Sequence, residues 1–590
     1  MQHRLQTADE IVIAGYFVLL AAIGLYFWRR MKNMRDLFTG GNNIPWWLAG
    51  VSFYLTAFSA FVFVAYAEMA YRYGLISFTL GCSSVAAMVV GTTLLAGRWR
   101  RARIVSPVEF LEARYSPQIR QVLAWAGLPL KLIDDGLKIY ATGIFVSAGL
   151  GYDLKLSVIA SGAVMSLYTF MGGLWAVVVT DYVQFLILTI GVAVLFPVVF
   201  AHMGGMVAGF KLLAQDAPPG FFSPVSGPFS IWYVIAFYLL VIVSYNGNWA
   251  FAQKFYSVRD EREARKAGML ATVLKIVGPA LFIFPAMAAR HLMPELMTPP
   301  NSPQYTYAAL SLKYLPPGLV GLMIAAMFSA TMSTLSGDFN VVASVITEDL
   351  YRRLLNPHAT QKRLIAVGRL ATLFAGGVTL LIGVMLVGTA KTGLFEVMVT
   401  LFSLFVGPML LPMLAGLVSR RVTWRGAAAG IIAGFICGFG LYLYQTLILA
   451  KRPGVDPNWV RYDFEAIRIF ANFGVTILAM VITTMLERPT AQEKQRIAAF
   501  FERLDTPIEK RPAERSQDEF SPVPVIGWIT IGIGLLMLAA AAAVEGGMGR
   551  AINSAVGILL CAIGAGLHLV NQMQVRRRRV LALSGQPVVQ

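Results

Sequence analysis

Long apolar stretches, separated by short polar ones, recur from end to end of this chain. About 20 consecutive apolar residues is the length that an α-helix needs to cross the hydrocarbon core of a bilayer. The pattern therefore predicts an all-α integral membrane protein. We expect 15 transmembrane helices, at approximately 10–28, 46–72, 75–97, 120–148, 155–171, 180–203, 230–252, 267–289, 317–347, 365–388, 393–418, 425–448, 467–486, 523–544 and 552–574.

Composition supports a membrane protein. Of 590 residues, 57% are hydrophobic and 14% are charged, and the mean hydropathy is +0.65. The net charge of +18 does not indicate nucleic-acid binding, because the basic residues lie in short loops between apolar segments. The first apolar run lacks a preceding basic region and a small-residue cleavage site, so no cleavable signal peptide is predicted. The cysteines all lie in apolar segments and indicate neither disulfides nor a metal site: Cys82, Cys437 and Cys561.

Loop charge predicts the orientation, since cytoplasmic loops are enriched in Lys and Arg. The loop after the first segment is basic, as are alternate loops after it and the tail Arg576 to Arg579. The loop 204–229 has only Lys211, and 449–466 is the exception to the alternation. We expect a multi-pass protein of the cell membrane, the inner membrane in a bacterium. Its N-terminus is expected outside and its C-terminus in the cytoplasm.

Two stretches are too polar for the membrane. Residues 487–522 read as a charged cytoplasmic linker, which is too short for a kinase or nucleotide-binding domain. Residues 204–229 read as an extracellular loop rich in turn residues. No GxxxxGK[ST] motif occurs, so no ATP-driven pump is indicated.

The segment order suggests internal symmetry, which is common in transporters. Segments two to six and seven to eleven each contain five helices, and an odd number forces opposite topology on the two halves. The second half opens with Asn246, Gly247 and Asn248 in mid-membrane, which predicts a broken helix. The first half has only Thr56 and Ser59 at the matching place, which is a weaker break signal. Broken helices expose backbone carbonyls that bind cations.

One apolar segment, Gly321 to Tyr351, carries an unusual run of polar residues. Such residues are costly in hydrocarbon unless they face a partner or a cavity. The adjacent hydroxyls of Ser333 and Thr334 can offer oxygens to a small hard cation such as sodium. They can equally bind neighbouring helices together or bond back to their own backbone.

Three stretches in order resemble the sodium/solute symporter family: Ile44 to Phe61, Gly172 to Phe185 and Ser329 to Arg353. Ala252 to Ala271 is a weaker match. Together they span about 45–420. The resemblance implies a leucine-transporter-like fold, with a five-plus-five inverted repeat, one extra helix before it and more after it. Members of the family couple inward sodium flow to uptake of sugars, amino acids, carboxylates, nucleosides or vitamins.

This fold predicts the domain organisation. An extra helix with its cytoplasmic loop comes first, and two inverted repeats follow on either side of the extracellular loop. Two further helices, the linker and a C-terminal helix pair with a basic tail complete the chain. The corresponding ranges are 1–44, 45–203, 204–229, 230–420, 421–486, 487–522 and 523–590.

The resemblance also implies a sodium site. Its ligands are the backbone carbonyls of Leu55, Phe58 and Ala330 and the hydroxyls of Ser333 and Thr334. Neutral oxygens suit Na⁺, which is a hard cation.

Asp181 is the family's aspartate on the fifth core helix, where it can serve a second sodium site or the ion's exit path. From the residues alone it could instead cap a helix that begins near Thr180.

The substrate site is less defined. Lys275 matches the lysine that sugar-carrying relatives use, and a mid-membrane lysine is usually functional. The other sugar ligands are replaced, with Phe61, Val62 and Gly81 in their places. Helix packing is an alternative for every further candidate: Ser84, Ser244, Tyr245, Asn246, Asn248, Glu396 and Thr400.

Segment four carries four charged residues in mid-membrane. Lys131 and Asp135, and likewise Asp134 and Lys138, stand four positions apart, so the patch can neutralise itself along one helix. The alternative is a substrate or proton-relay site.

We therefore expect a sodium-coupled symporter rather than an enzyme, acting as a monomer on a small polar solute by alternating access. Sugars and sugar acids are slightly favoured, because Lys275 is the one matched ligand. A sodium- or proton-coupled carrier of an amino acid or monocarboxylate is the alternative. A membrane sensor is less favoured, since no output domain follows residue 574.

Overall fold

The structure is a computed structural model that describes residues 5–28, 38–171, 174–298, 302–388, 393–508, 522–544 and 546–583. These residues form helices and loops without a β-strand, which confirms the all-α class. Eleven helices are long and apolar enough to cross a membrane, or up to 13 if each of two bent helix pairs is one span. The predicted number of 15 spans is not confirmed.

The helices follow the predicted segments closely. The chain begins with α1 (Thr7–Trp28). The first half then contains α2 (Trp46–Thr56), α3 (Ala67–Tyr73), α4 (Ile76–Gly81), α5 (Ser83–Val90), α6 (Ala96–Arg101), α7 (Phe110–Arg114), α8 (Pro117–Leu150), α9 (Leu154–Met171) and α10 (Leu174–Ala201). A short helix, α11 (Met206–Asp216), lies inside the loop predicted at 204–229.

The second half repeats the order of long and broken helices. It contains α12 (Ile231–Gly247), α13 (Trp249–Tyr256), α14 (Glu261–Leu292), α15 (Thr306–Tyr314), α16 (Leu319–Ser344), α17 (Gln361–Leu386) and α18 (Leu394–Val418). Beyond the repeats lie α19 (Trp424–Leu447), α20 (Phe464–Leu486), α21 (Ala491–Asp505), α22 (Val523–Ala543) and α23 (Gly547–Leu583).

Each half opens with a broken helix. In the second half, α12 and α13 meet at an angle of 50° at Asn248, whose side chain accepts the N–H groups of Ala250 and Phe251 and caps α13. In the first half, Ala57 to Ser59 leave the helix and the chain becomes helical again at Ala60. Both breaks expose backbone groups in the middle of the bundle.

Helix α16, which carries the polar run, is buried along its whole length. Its N-terminus is capped by Asp9 of α1, whose carboxylate accepts the N–H groups of Gly318 and Gly321 at 2.7 Å each. A carboxylate at this position also complements the positive end of the helix dipole. The extra N-terminal helix therefore fixes one end of the central helix.

The described part of the predicted linker, 487–522, packs against the rest of the protein. Helix α21 begins with a capping box of Thr490 and Glu493 and buries Phe500, Phe501 and Leu504. Phe500 stacks on Phe110 of α7 at 6.0 Å between ring centres. The helix is thus docked on the transmembrane core, and 509–521 lie outside the described residues.

Candidate functional site

The break in the first half meets α16 at a group of oxygens. Thr334 Oγ1 donates to the carbonyl of Phe58 at 2.6 Å and lies 3.2 Å from the carbonyl of Ala330. The carbonyl of Leu55, in the last turn of α2, accepts the N–H of Phe58 at 2.8 Å. The unwound segment and the buried helix thus bring together the carbonyls and hydroxyl expected there.

The Ser333 hydroxyl is the unsatisfied member of this group. It is fully buried and has no hydrogen-bond partner of ordinary geometry among the described residues. The Asp181 carboxylate lies beside this hydroxyl, whose oxygen keeps lone pairs that a cation can use. All five predicted ligand positions are buried. The residues therefore fit a sodium ion held by neutral oxygens.

The half-helix after the break is also anchored, through a residue that sequence reasoning did not assign. Thr331 Oγ1 accepts the N–H of Ala60 at 2.9 Å and a hydrogen bond from Thr142 of α8 at 2.8 Å. The signal in the sequence was the polar run itself, but only the fold shows which element Thr331 faces.

Asp181 does not cap a helix. Helix α10 already includes Leu174, and Thr180 bonds back to the carbonyl of Ala176 as an interior residue, so that interpretation was wrong. The Asp181 carboxylate is fully buried and accepts a hydrogen bond from Ser52 of α2. It also lies beside Ser333 and faces the ammonium of Lys254 at 3.9 Å.

A cavity of about 140 Å³ adjoins these oxygens, between the two broken helices and helices α5, α8, α14 and α18. Thr334 lies in its wall, so the cavity and the candidate ion site share a boundary. Five of the predicted substrate residues line it: Lys275, Ser84, Ser244, Tyr245 and Asn248.

Aromatic faces make up much of the cavity wall. The aromatic residues in the wall include Phe58, Phe61, Tyr245, Phe251, Phe282 and Phe402. Trp249 lies in the wall of a smaller adjoining cavity. It packs so tightly on α8 that a Cβ added at Gly127 would come within 2.2 Å of its ring.

Three predicted substrate residues do not reach the cavity wall. Asn246 donates to the carbonyls of Ala87 and Ile242 and so joins two helices. Glu396 accepts a hydrogen bond from Tyr462 at 2.6 Å and lies 3.4 Å from the Arg461 guanidinium. Thr400 lies on the same helix outside the lining. Helix-helix contacts account for the first two, as the packing alternative proposed.

Lys275 occupies an unusual position. Its side chain is buried, and its ammonium donates to the carbonyl of Ala57, inside the break, at 3.1 Å. It also faces the rings of Tyr54 and Phe58, at 5.3 and 4.8 Å from their centres. No carboxylate lies within salt-bridge distance of it in the described part of the chain. Its remaining donors are available to a ligand.

The four charged residues of α8 contact a fifth charged residue, which belongs to another helix. Asp338 of α16 lies 2.7 Å from the Lys131 ammonium and 2.9 Å from that of Lys138. Lys138 also contacts Asp134 and Asp135, at 2.8 Å each. The predicted pair of Lys131 and Asp135 is not among the contacts, because Lys131 reaches across to Asp338 instead. We call these five residues the charge cluster.

Sequence comparison gives the family. The family described as "Sodium:solute symporter family" matches residues 37–434, which is more than half of the chain. The chain belongs to the sodium:solute symporter family. Na⁺ is therefore its coupling ion, and this is a family of multi-pass transporters rather than enzymes.

Two relatives illustrate the range of the family. The chain is 26% identical over 566 residues to the sodium/myo-inositol cotransporter 2 of Oryctolagus cuniculus, covering 86% of this chain and 81% of the relative. It is 26% identical over 421 residues to the sodium/glucose cotransporter of Vibrio parahaemolyticus, covering 66% and 77%.

The fold has a solved counterpart. A Na⁺-coupled sialic acid symporter in a substrate-bound, outward-open state superposes with a TM-score of 0.70, covering 82% of this chain and 98% of that one. At 22% identity, this similarity establishes the architecture only. It confirms the expected leucine-transporter-like arrangement for this sodium:solute symporter.

Proposed function

We propose that this symporter carries a sugar or a sugar acid into the cell together with sodium. The observation that carries the proposal is Lys275, a buried ammonium in the cavity wall without an acidic partner in the described chain. Charge-assisted hydrogen bonds to hydroxyl or carboxylate oxygens are stronger than neutral ones. Aromatic walls suit the apolar face of a pyranose ring. The named activities of both relatives, on glucose and myo-inositol, support a polyhydroxylated solute.

A carboxylate-bearing solute that also has a positive group is the second candidate, because the cavity walls differ in charge. Lys275 lies on one wall, while Asp134 and Asp338 of the charge cluster line another. Such a cavity can hold an amino acid, with its carboxylate on the lysine. Lys138 lies between the acids and compensates part of their charge, which is why sugars stay favoured.

Substrate and ion sites share one structural element, which gives the coupling a physical basis. Lys275 holds the carbonyl of Ala57, and the next residue, Phe58, offers its carbonyl at the proposed sodium site. A substrate that binds to Lys275 therefore changes the position of the unwound segment whose carbonyls bind sodium. Each ligand then stabilises the arrangement that the other requires.

Loss of either hydroxyl should weaken sodium binding. We expect Ser333→Ala and Thr334→Ala each to raise the sodium concentration for half-maximal uptake by about 10- to 100-fold, because a contact to a charged group contributes about 1.5–3 kcal/mol. Sodium titration of uptake in proteoliposomes measures this. Ser344→Ala is the matched control, since its buried hydroxyl on α16 bonds only to the carbonyl of Val341 among the described residues. Unchanged sodium dependence in both variants would rule out the site.

We also propose that the N-terminus is outside the cell and the C-terminus in the cytoplasm, with the monomer as the functional unit. In a variant without the three native cysteines, Gln215→Cys should react with an impermeant thiol reagent on intact cells. Ala498→Cys on α21 should react only after the cells are opened. Both residues are exposed, and the reverse pattern would invert the proposed orientation.

A further inference from the structure

An ion pair lies next to the proposed sodium site, between two helices of different halves. The ammonium of Lys254 on α13 and the carboxylate of Asp181 on α10 are both fully buried and 3.9 Å apart. The ammonium has no hydrogen-bond partner in the described part of the chain. Besides each other, Asp181 has the hydroxyls of Ser52 and Ser333 next to it, and Lys254 faces the charge of Asp338.

One hydroxyl separates this pair from the sodium ligands. Ser333 lies beside the Asp181 carboxylate, and its neighbour Thr334 holds the carbonyl of Phe58. Ser52, which donates to Asp181, is on α2, and its carbonyl accepts from Thr56 at 2.7 Å. Asp181 is therefore close enough to attract a cation that enters or leaves the site.

A second sodium ion does not fit at Asp181. A cation bound to this carboxylate would stand within a few ångströms of the Lys254 ammonium. Like charges at that distance in a water-excluded region repel about as strongly as the carboxylate attracts. The ammonium already supplies the positive charge that a buried carboxylate requires.

We propose that Lys254 is a tethered cation that takes the place of a second ion at Asp181, so that this protein binds one sodium ion per transport cycle. The inference rests on the proposed sodium site at Ser333 and Thr334. Because Lys254 belongs to the half-helix α13, movement of α13 relative to α10 would strengthen or weaken the hold of the lysine on Asp181. Asp181 is then a positioning residue for the ion path, not a sodium ligand.

Direct binding of radioactive sodium to the purified full-length protein tests this. We expect one ion per protein with a Hill coefficient near 1, and the same count in Asp181→Asn. Lys254→Met should raise the count toward two, since the carboxylate loses its internal cation. A wild-type count of two that falls to one in Asp181→Asn would overturn the proposal.

A double variant separates charge pairing from folding. Lys254→Met or Asp181→Asn alone leaves a buried charge without its partner and should lower the folded yield, while Asp181→Asn combined with Lys254→Met should recover it. The double variant should bind one sodium ion, as wild type does. The pairing would be contradicted if the double variant lost as much folded yield as the two single variants together. It would also be contradicted if the double variant bound two ions.

The proposed function fails by a different result. If sodium binding is insensitive to Ser333→Ala, the sodium site itself is misplaced, whatever the ion count. If sodium binding depends on Ser333 but wild type holds two ions, the sodium site stands and only the role of Lys254 is refuted.

Discussion

Replacing Lys275 with methionine should reduce substrate uptake about 10- to 100-fold while sodium still binds to the purified protein. Methionine keeps most of the volume of lysine but cannot donate a hydrogen bond, and the loss of a charge-assisted bond costs about 1.5–3 kcal/mol. The carbonyl of Ala57 also loses its donor, but it lies at the cavity, where other donors can reach it. Uptake and sodium-dependent thermal stabilisation, measured on the same preparation, separate the two effects.

Lys313→Met is the matched control for this variant. Lys313 lies near the end of α15, and its ammonium donates to the carbonyl of Leu292 in an exposed position. We expect it to leave uptake unchanged. If Lys275→Met keeps wild-type uptake, Lys275 does not bind the substrate. The proposal that the substrate is a sugar or a sugar acid then loses its main support.

Removing Asp338, the acid that joins α16 to the charge cluster, should lower the stability of the protein strongly. Asp338→Asn takes a carboxylate from two buried ammonium groups, Lys131 and Lys138. Lys138 keeps Asp134 and Asp135, but Lys131 keeps only Asp134, at 3.8 Å, among its described ion pairs. A buried charge that loses its close partner costs about 3–5 kcal/mol. We expect a large fall in folded yield and in the unfolding temperature of whatever protein is recovered.

An exposed ion pair gives the comparison. Asp505→Asn removes the partner of Arg420 on the surface, where such pairs contribute about 0–1 kcal/mol. Adding Lys131→Met to Asp338→Asn should recover part of the lost stability. If Asp338→Asn is as mild as Asp505→Asn, the cluster does not hold α8 and α16 together.

Sequence reasoning found the elements whose signals are local. Hydrophobic length located the helices, and the Asn-Gly-Asn run marked the break at Asn248. The polar run on α16 pointed to Ser333 and Thr334, which the structure places beside the carbonyls that the resemblance implied. The break at Ala57 to Ser59 was harder to see, because no glycine or proline marks it.

Contacts between distant segments were not visible in the sequence. The spacing rule for helices pairs Lys131 with a residue of its own helix, but the fold brings Asp338 closer. Lys254 follows the predicted segment 230–252, where the sequence predicts a loop, yet α13 carries it inside the protein to Asp181. Glu396 looked like a cavity residue until Tyr462 and Arg461, which follow much later in the chain, were placed next to it.

Uptake in proteoliposomes with imposed ion gradients tests the central claim most directly. Purified wild-type protein is supplied with a panel of sugars, sugar acids, amino acids and monocarboxylates, under an inward sodium gradient, an inward proton gradient, or neither. We expect a sugar or sugar acid to accumulate above its outside concentration only under the sodium gradient, and the accumulation to collapse with a sodium ionophore. Accumulation under the proton gradient, and none under sodium, would contradict the account.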